Sequence, residues 1–446
     1  MAKAAVPTEL IVLLHGRVAG VLGRDRTTGS PLLAYVDNWR DDPNAFPLSL
    51  SLPLASQFHD GPRVAHYLRG LLPDNEPHLN AIAHQCGVAA DDSFALLSHI
   101  GEDCPGAVQF VRADRVAEVQ GEGPGTVEWL SDNQVAEVIR DLQKENRSQP
   151  AEITGRFTLP GATPKAALTW NPETHRWGRP TGRAATTHII KPPLHGVKFH
   201  NENEHMCLAL ARRVGFPAAA SSFIRVADQH ALAVERYDRE WRNQGIHRLH
   251  QEDLSQALGV NPRLKYAAEG APEVSHVVML LREQTSRGLQ DVYRFLRALV
   301  FNWAIGNTDA HPRNYSVLVG SRGDVTLSPL YDISSGILLP SRSDPASVPF
   351  AMAVAGRRTL GSITHAVWEE QAKELKLNSG RVMNEIDDLL AQIGDEAPLV
   401  AETVTNDGVD ELFAARFAAR LTSRVASCRK ELGREGTVHG SFDARD

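Results

Sequence analysis

Cysteine is scarce in this chain. Cys86, Cys104, Cys207 and Cys428 are scattered with no paired spacing, so neither a disulfide framework nor a zinc site is implied. That usage fits a reducing cytosol, and a cytoplasmic protein is expected. Long hydrophobic runs are also missing. The apolar stretch at 10–14 is far too short for a signal segment or a membrane span, so no membrane is expected. There is no excess of basic residues. A net charge of −7 argues against a surface that coats nucleic acid, though a local basic patch remains compatible with it. Internal repeats and long low-complexity tracts are absent too. What is present is ordinary for a soluble globular protein: 446 residues, 42% hydrophobic and 23% charged, enough for two or three domains.

The stretch at 301–332 organises the rest. Val292, Phe295, Leu296, Leu299, Val300 and Trp303 recur at three and four residues, which predicts a helix leading into it. The sequence then reads I-G-N-T-D-A-H-P-R-N-Y-S-V-L, with a strand expected at 315–319, a turn at 320–324 and a returning strand at 325–327. A hairpin of that length brings Asp332 back towards Asn314, with Asp309 on the loop just before them. Asn314 and Asp332 are hard oxygen donors of the kind Mg²⁺ prefers. Asp309 is placed to accept the proton of an attacking hydroxyl, and the set suits phosphoryl transfer. Protein kinases use the order H-R-D-x-x-x-x-N, hairpin, D-F-G. Here D-A-H-P-R-N keeps the Asp and the Asn in register, Y-D-I stands for D-F-G, and no H-R precedes Asp309. His311 has no second histidine at ligand spacing, so a hydrogen-bonding role is expected for it.

Upstream, 10–14 and 18–22 read as a hairpin around His15, Gly16 and Arg17. Strands are expected at 32–36, at 48–54 from the alternation L-S-L-S-L, and at 106–111. Helices are expected at 64–72 and 91–101. This small α+β unit shows no catalytic constellation. Three glycines and a proline at 121–125 suggest a linker, and 132–144 an amphipathic helix. R-F-T-L-P-G-A-T-P-K-A-A-L at 156–168 has a strand-turn-strand look, with Gly161 at the turn and Lys165 after it. It reads equally as an ordinary hairpin. T-T-H-I-I-K at 186–191 is a strand ending in Lys191, and a helix at 201–215 follows. Glu202 and Glu204 both lie near the start of that helix, where acidic residues complement its dipole. Either one can instead pair with Lys191, and spacing does not choose between them. A-L-A-V-E-R-Y-D at 231–238 runs from an apolar strand into charge, as a kinase hinge does. From 251 onward the pattern is mostly helical, with helices expected at 368–390 and 410–432. The segment at 334–347 is turn-rich, in the place of an activation loop, and 436–446 is expected to fray.

An ordered set of motifs resembles the HipA family, serine/threonine-protein kinase toxins of type II toxin–antitoxin modules. The set comprises G-L-L-P-D-N-E at 70–76, F-A-L-L-S-H-I-G-E-D-C-P-G-A-V-Q-F at 94–110, I-I-K-P at 189–192 and V-E-R-Y-D-R at 234–239. It continues with H-Q-E-D-L-S-Q-A-L-G at 250–259, I-G-N-T-D-A-H-P-R-N-Y-S at 305–316 and L-Y-D-I-S-S at 330–335. The resemblance implies an α+β, two-lobed protein-kinase-like fold with an additional N-terminal α+β domain. Its parts would be an N-terminal domain at 1–115, a small lobe at 116–245, a helical large lobe at 246–435 and a tail at 436–446.

The resemblance also implies ATP and Mg²⁺ as cofactors. Asp309 would be the catalytic base, Asn314 and Asp332 the Mg²⁺ ligands, and Lys191 a phosphate ligand. Glu235, Arg236 and Tyr237 would line the adenine site, with Tyr331 also in the nucleotide site. Pro160, Gly161, Ala162, Thr163, Pro164 and Lys165 would form the phosphate-covering loop, and His311 would approach the γ-phosphate. The family phosphorylates aminoacyl-tRNA synthetases, notably the glutamyl enzyme, which stalls translation and favours dormancy. A small helix-turn-helix antitoxin, HipB, holds the kinase in a complex on operator DNA. Lys373, Lys376 and Arg381 would touch operator phosphates there, or else be solvated helix residues. Family members often carry S-V-x-G-A-Q-x-K where this chain has T-L-P-G-A-T-P-K at 158–165. Thr158 takes the place of a serine that is autophosphorylated in the family to switch the kinase off. Thr163, Ser221 and Ser222 are other candidate acceptors. Two rival readings remain: a small-molecule phosphotransferase of the aminoglycoside-kinase type, and a non-catalytic co-repressor subunit.

Overall fold

The computed structural model describes residues 6–121, 125–145, 157–242, 245–338 and 347–431. Among them no helix is long and apolar enough to cross a membrane.

The chain builds three successive layers of structure. The first is a five-stranded antiparallel sheet ordered Phe58–His59, Pro31–Tyr35, Arg17–Arg24, Leu10–Leu14, Val108–Val111. Helices Pro62–Gly70, Glu76–Cys86 and Ser93–Ile100 accompany it. The second is a six-stranded antiparallel sheet ordered Ser221–Val226, Gln229–Glu235, His188–Lys191, Ala166–Asn171, Arg176–Thr181, Thr126–Trp129. Successive side chains on a strand point to opposite faces. Accordingly Ala231 and Ala233 pack with Val135, Ile139 and Leu142 of helix Asp132–Glu145. Leu232 and Val234 join the larger core with Met206 and Leu210 of helix His200–Arg213.

The third layer is helical: Val274–Gln284, Leu289–Ala304, His365–Glu374, Ser379–Asn406 and Glu411–Glu431. A three-stranded sheet of His250–Asp253, Ser316–Val319 and Val325–Leu327 lies within it. The six residues that predict helix Leu289–Ala304 are all buried, so its apolar stripe is the seam of the lobe. Each such side chain contributes about 1.5–3 kcal/mol by leaving water.

Several sequence expectations are corrected. Residues 48–54 do not form a strand. The segment folds back on itself, with Ser49 bridged to Leu52. Its serines are buried, and their hydroxyls donate to the Gln256 carbonyl at 3.3 and 2.8 Å. Alternation was therefore not apolar-in, polar-out but a polar joint between two parts of the protein. Among the described residues, the hairpin expected at 156–168 has only one strand, because the chain around Thr158 leans on Asp103 of the first layer and not on Ala166–Asn171. The single helix expected at 368–390 breaks between Glu374 and Ser379, where Lys376 takes φ +53° and Asn378 caps the next helix. Residues 251–253 are strand, not helix. Helix Glu76–Cys86 and strand Thr126–Trp129 had no expectation. The linker core at 122–124, most of the turn-rich segment at 339–346, and the tail at 436–446 lie outside the described residues.

The joint at 48–54 carries a pH signature. The Leu50 amide donates to Glu252 Oε1 at 2.7 Å, and Glu252 is fully enclosed. Burial pushes this carboxyl up to about 8, against hydrogen bonds from Ser49 and Leu50 that pull it down. A carboxyl with a raised folded pKa holds its proton more tightly when folded. Its stabilisation is complete below the ordinary value of 4.5 and is lost as pH rises through about 8. Denaturation of wild type and Glu252→Gln across pH 5 to 8.5 should show the gap opening in favour of the glutamine variant. The slope should approach about 1.4 kcal/mol per pH unit. Parallel curves would refute the assignment.

Candidate active site

Helix Leu289–Ala304 delivers the chain into the loop that carries Asp309. The loop is fixed from behind: Asn307 donates to Asn302 Oδ1 at 2.8 Å and accepts the Asp309 amide at 3.0 Å. The Asp309 carboxylate faces outward, about half exposed, and accepts one hydrogen bond from the Tyr266 hydroxyl at 2.8 Å. After the short 3₁₀ turn Pro312–Asn314, the Asn314 side-chain amide donates to the Asp309 carbonyl at 2.7 Å. The hairpin then pairs Val317 with Leu327 and Val319 with Val325. It returns the chain as expected: the Tyr331 hydroxyl donates to the Arg313 carbonyl at 2.9 Å, and Asn314 and Asp332 line one cavity with Asp309. Asp332 sits at φ +53°, a left-handed conformation that costs a non-glycine residue about 1–2 kcal/mol. The surrounding contacts hold it there.

Lys191 ends its strand under the same cavity. Its ammonium bonds Glu204 at 2.6 Å and Asp332 at 2.7 Å. Glu204, buried on helix His200–Arg213, is thus the partner, and Glu202 is not. Burial alone would pull the Lys191 ammonium down, yet Asp332 and Glu204 hold it above its ordinary value. Lys191, opposed by burial and helped by Lys165, holds Asp332 well below the usual carboxylate range. The site is therefore a cation between two anions, one of which opens onto the cavity.

The loop at 160–165 forms the roof. Gly161 takes φ +119°, a conformation that favours glycine, and a Cβ there would lie 2.4 Å from Lys165 Nζ, so the flexible lysine would have to move. Lys165 curls back to donate to the Pro160 carbonyl at 2.9 Å. Pro160, Gly161, Ala162 and Lys165 line the cavity, but Thr163 and Pro164 are not among its lining residues. Thr158 is buried at the root of the loop. Its amide donates to the Asp103 carbonyl at 3.0 Å, and its hydroxyl is enclosed.

At the other end, the Tyr237 and Tyr331 rings stand 5.5 Å apart. Glu235, Arg236 and Tyr237 all touch the cavity. The Arg236 guanidinium is committed elsewhere, to Asp238 at 2.9 Å, Thr186 at 2.8 Å and the Cys104 carbonyl at 2.9 Å. The charged residues at this strand end form a buried network. His311 is buried with Nε2 3.6 Å from Asp309, and burial lowers its pKa, which leaves it neutral at pH 7. Its Nδ1 has no hydrogen-bond partner among the described residues.

Sequence reasoning missed four residues here. Tyr266 covers Asp309, while half-buried Asp74 and Lys265 form an ion-pair cluster with buried Arg313 on the cavity wall. Asp74 and Arg313 lay inside motifs already singled out while Tyr266 and Lys265 did not, and no periodicity marks any of them. A roomier cavity of about 620 Å³ opens between His15, Gln109 and the hairpin Arg239–Arg248, but it is lined by cations and Trp241 without a carboxylate.

The donor set fits a magnesium nucleotide. Among the described residues there is no group of three or more His, Cys, Asp or Glu side chains placed to cage a metal. One carboxylate and one amide oxygen suit Mg²⁺, which keeps waters and takes phosphate oxygens to complete its shell.

Comparison with known proteins gives the family. Residues 10–111 match the HipA N-terminal domain, and residues 157–397 match the HipA-like C-terminal domain. The protein Y4mE of Sinorhizobium fredii is 33% identical over 423 residues, covering 94% of this chain and 98% of that one. The serine/threonine-protein kinase toxin HipA of Shewanella oneidensis is 28% identical over 336 residues, covering 71% of this chain and 72% of that protein. The structure of Shewanella oneidensis HipA with HipB and its operator DNA superposes with a TM-score of 0.78 at 24% identity, covering 95% of this chain and 97% of that one. The fold is therefore kinase-like with an N-terminal domain, and the chain belongs to the HipA family.

Proposed function

We propose that the protein is an ATP- and Mg²⁺-dependent serine/threonine-protein kinase, the toxin of a toxin–antitoxin module. The observation that carries this reading is the convergence of Asp309, Asn314, Asp332 and the Lys191–Glu204 pair on one cavity. Magnesium-bound ATP supplies the transferable phosphoryl group. Lys191 and Lys165 bind and neutralise phosphate oxygens, while Asn314 and Asp332 provide the metal-facing oxygens. Asp309 orients the acceptor hydroxyl and takes its proton. Tyr266 stands where that hydroxyl belongs, so an acceptor displaces it. Tyr237, Tyr331 and the Glu235–Arg236 main chain form the adenine end. Neutral His311 approaches the γ-phosphate.

The acceptor in this reading is an aminoacyl-tRNA synthetase, of the glutamyl type, and the protein acts in the cytoplasm. Its partner is a HipB-like helix-turn-helix antitoxin that carries it to operator DNA. Lys373 and Lys376 are exposed for such a contact. Arg381 is partly engaged, stacked 3.9 Å over Tyr293 and bonded to Glu385 at 2.9 Å. Autophosphorylation of Thr158 would add about −1.5 to −2 charges beneath the roof loop and favour its departure. Because Thr158 is enclosed, the loop must lift before that transfer.

The test is incubation with labelled ATP and Mg²⁺, with host lysate and with purified glutamyl-tRNA synthetase, followed by mass spectrometry of every labelled band. A labelled synthetase, with Thr158 modified in the active enzyme alone, supports the reading. ATP turnover stimulated only by small molecules would favour the small-molecule phosphotransferase. No transfer to any acceptor would leave the co-repressor subunit.

A further inference from the structure

The motif G-L-L-P-D-N-E at 70–76 belongs to the N-terminal layer, yet it reaches the site. The Asp74 amide donates to the Gly161 carbonyl at 3.1 Å, and the Asn75 side-chain amide donates to the Ala162 carbonyl at 3.1 Å. Both acceptors lie in the roof loop. The Asp74 carboxylate meanwhile pairs with Arg313 and, at 2.8 Å, with Lys265. Arg313 sits between His311 and Asn314 in the catalytic loop. It is buried, and it also donates to the Gly70 carbonyl at 3.1 Å and to Asp253 at 3.4 Å. Gly70 leaves no room to spare, since a Cβ there would meet the Gln256 side chain at 3.0 Å.

We propose that Asp74 and Asn75 are positioning residues of the kinase site: one turn of the N-terminal domain latches the roof loop shut and anchors the catalytic loop through Arg313. The loop has few ties of its own. Lys165 bonds it internally, and the two bonds from 74 and 75 tie it to a rigid element. That element is rigid because Asn75 caps helix Glu76–Cys86, its Oδ1 accepting the His78 amide at 2.9 Å. One side chain thus caps a helix with its oxygen and holds the loop with its nitrogen. Closure over the phosphates is then a property of the N-terminal domain, not of the loop sequence alone.

The inference rests on the kinase reading above, and its test separates the two. Asn75→Asp keeps an N-cap of equal quality but removes the donor to Ala162. In the nucleotide-free full-length protein, amide hydrogen exchange over 158–165 should speed about 2- to 10-fold, the range one net hydrogen bond supports, while exchange in helix Glu76–Cys86 stays unchanged. In phosphotransfer, KM for ATP should rise by a similar factor with kcat little changed. Asp74→Asn, which leaves the backbone bond but takes the countercharge from Arg313, should instead lower kcat. Faster exchange in a protein with no wild-type kinase activity would sink the kinase reading and leave the latch standing. Unchanged exchange in Asn75→Asp, or identical effects of both variants on KM and kcat, would overturn the latch.

Discussion

Replacing Asp309 with asparagine is expected to lower phosphotransfer about 10²- to 10⁴-fold, the usual contribution of a positioned general base. Asparagine keeps the shape and the acceptor for the Tyr266 hydroxyl at 2.8 Å, so only proton acceptance is lost. Stability should hardly move. The side chain is about half exposed, and the loop is fixed by Asn307 and Asn302 through contacts that the substitution does not touch. Surface changes of this kind usually shift stability by about 0.5 kcal/mol or less. Rates at several ATP and acceptor concentrations, with thermal denaturation in parallel, separate the effects. A wild-type rate in Asp309→Asn would remove Asp309 from the role of base. A large fall in melting temperature would show that the residue is structural.

The catalytic segment was legible because its parts are local. A 3.6-residue apolar stripe, a hairpin with glycines at the turn and two acidic residues in order need no knowledge of the rest of the chain. The choice between Glu202 and Glu204 was not legible, since a first-turn carboxylate answers to the helix dipole as well as to a distant lysine. Burial decided it: Glu204 is enclosed and has Lys191 at 2.6 Å. The alternation at 48–54 misled because period two is the same whether the polar residues face water or, as here, the Gln256 carbonyl. Asp74 was invisible as a site residue for a related reason. A turn aspartate before a helix looks like a cap, and nothing within the turn shows that it meets Arg313, 239 positions away in the chain.

Lys191→Met should abolish nucleotide-dependent activity and also destabilise the protein, and a second substitution should tell the two losses apart. Lys191 lies between Glu204 and Asp332 with its ammonium almost fully enclosed. Removing the cation leaves two carboxylates facing one another with only Lys165 as a nearby lysine, and breaking a buried pair from one side costs about 3–5 kcal/mol. Glu204, whose pKa burial already raises against the pull of Lys191, would meet part of that cost by taking up a proton. Relative to wild type, the stability of Lys191→Met should therefore improve as pH falls from 8 to 6. Adding Glu204→Gln removes the stranded charge, so Lys191→Met/Glu204→Gln should recover much of the stability at pH 8 and return to the pH dependence of wild type. Activity should stay absent in the double variant, because neither methionine nor glutamine supplies a positive charge to a phosphate oxygen. A non-additive stability cycle with no recovery of activity would assign Lys191 both roles. Wild-type stability in Lys191→Met would deny the buried pair its structural part, and retained ATP affinity would deny the lysine its place in the nucleotide site.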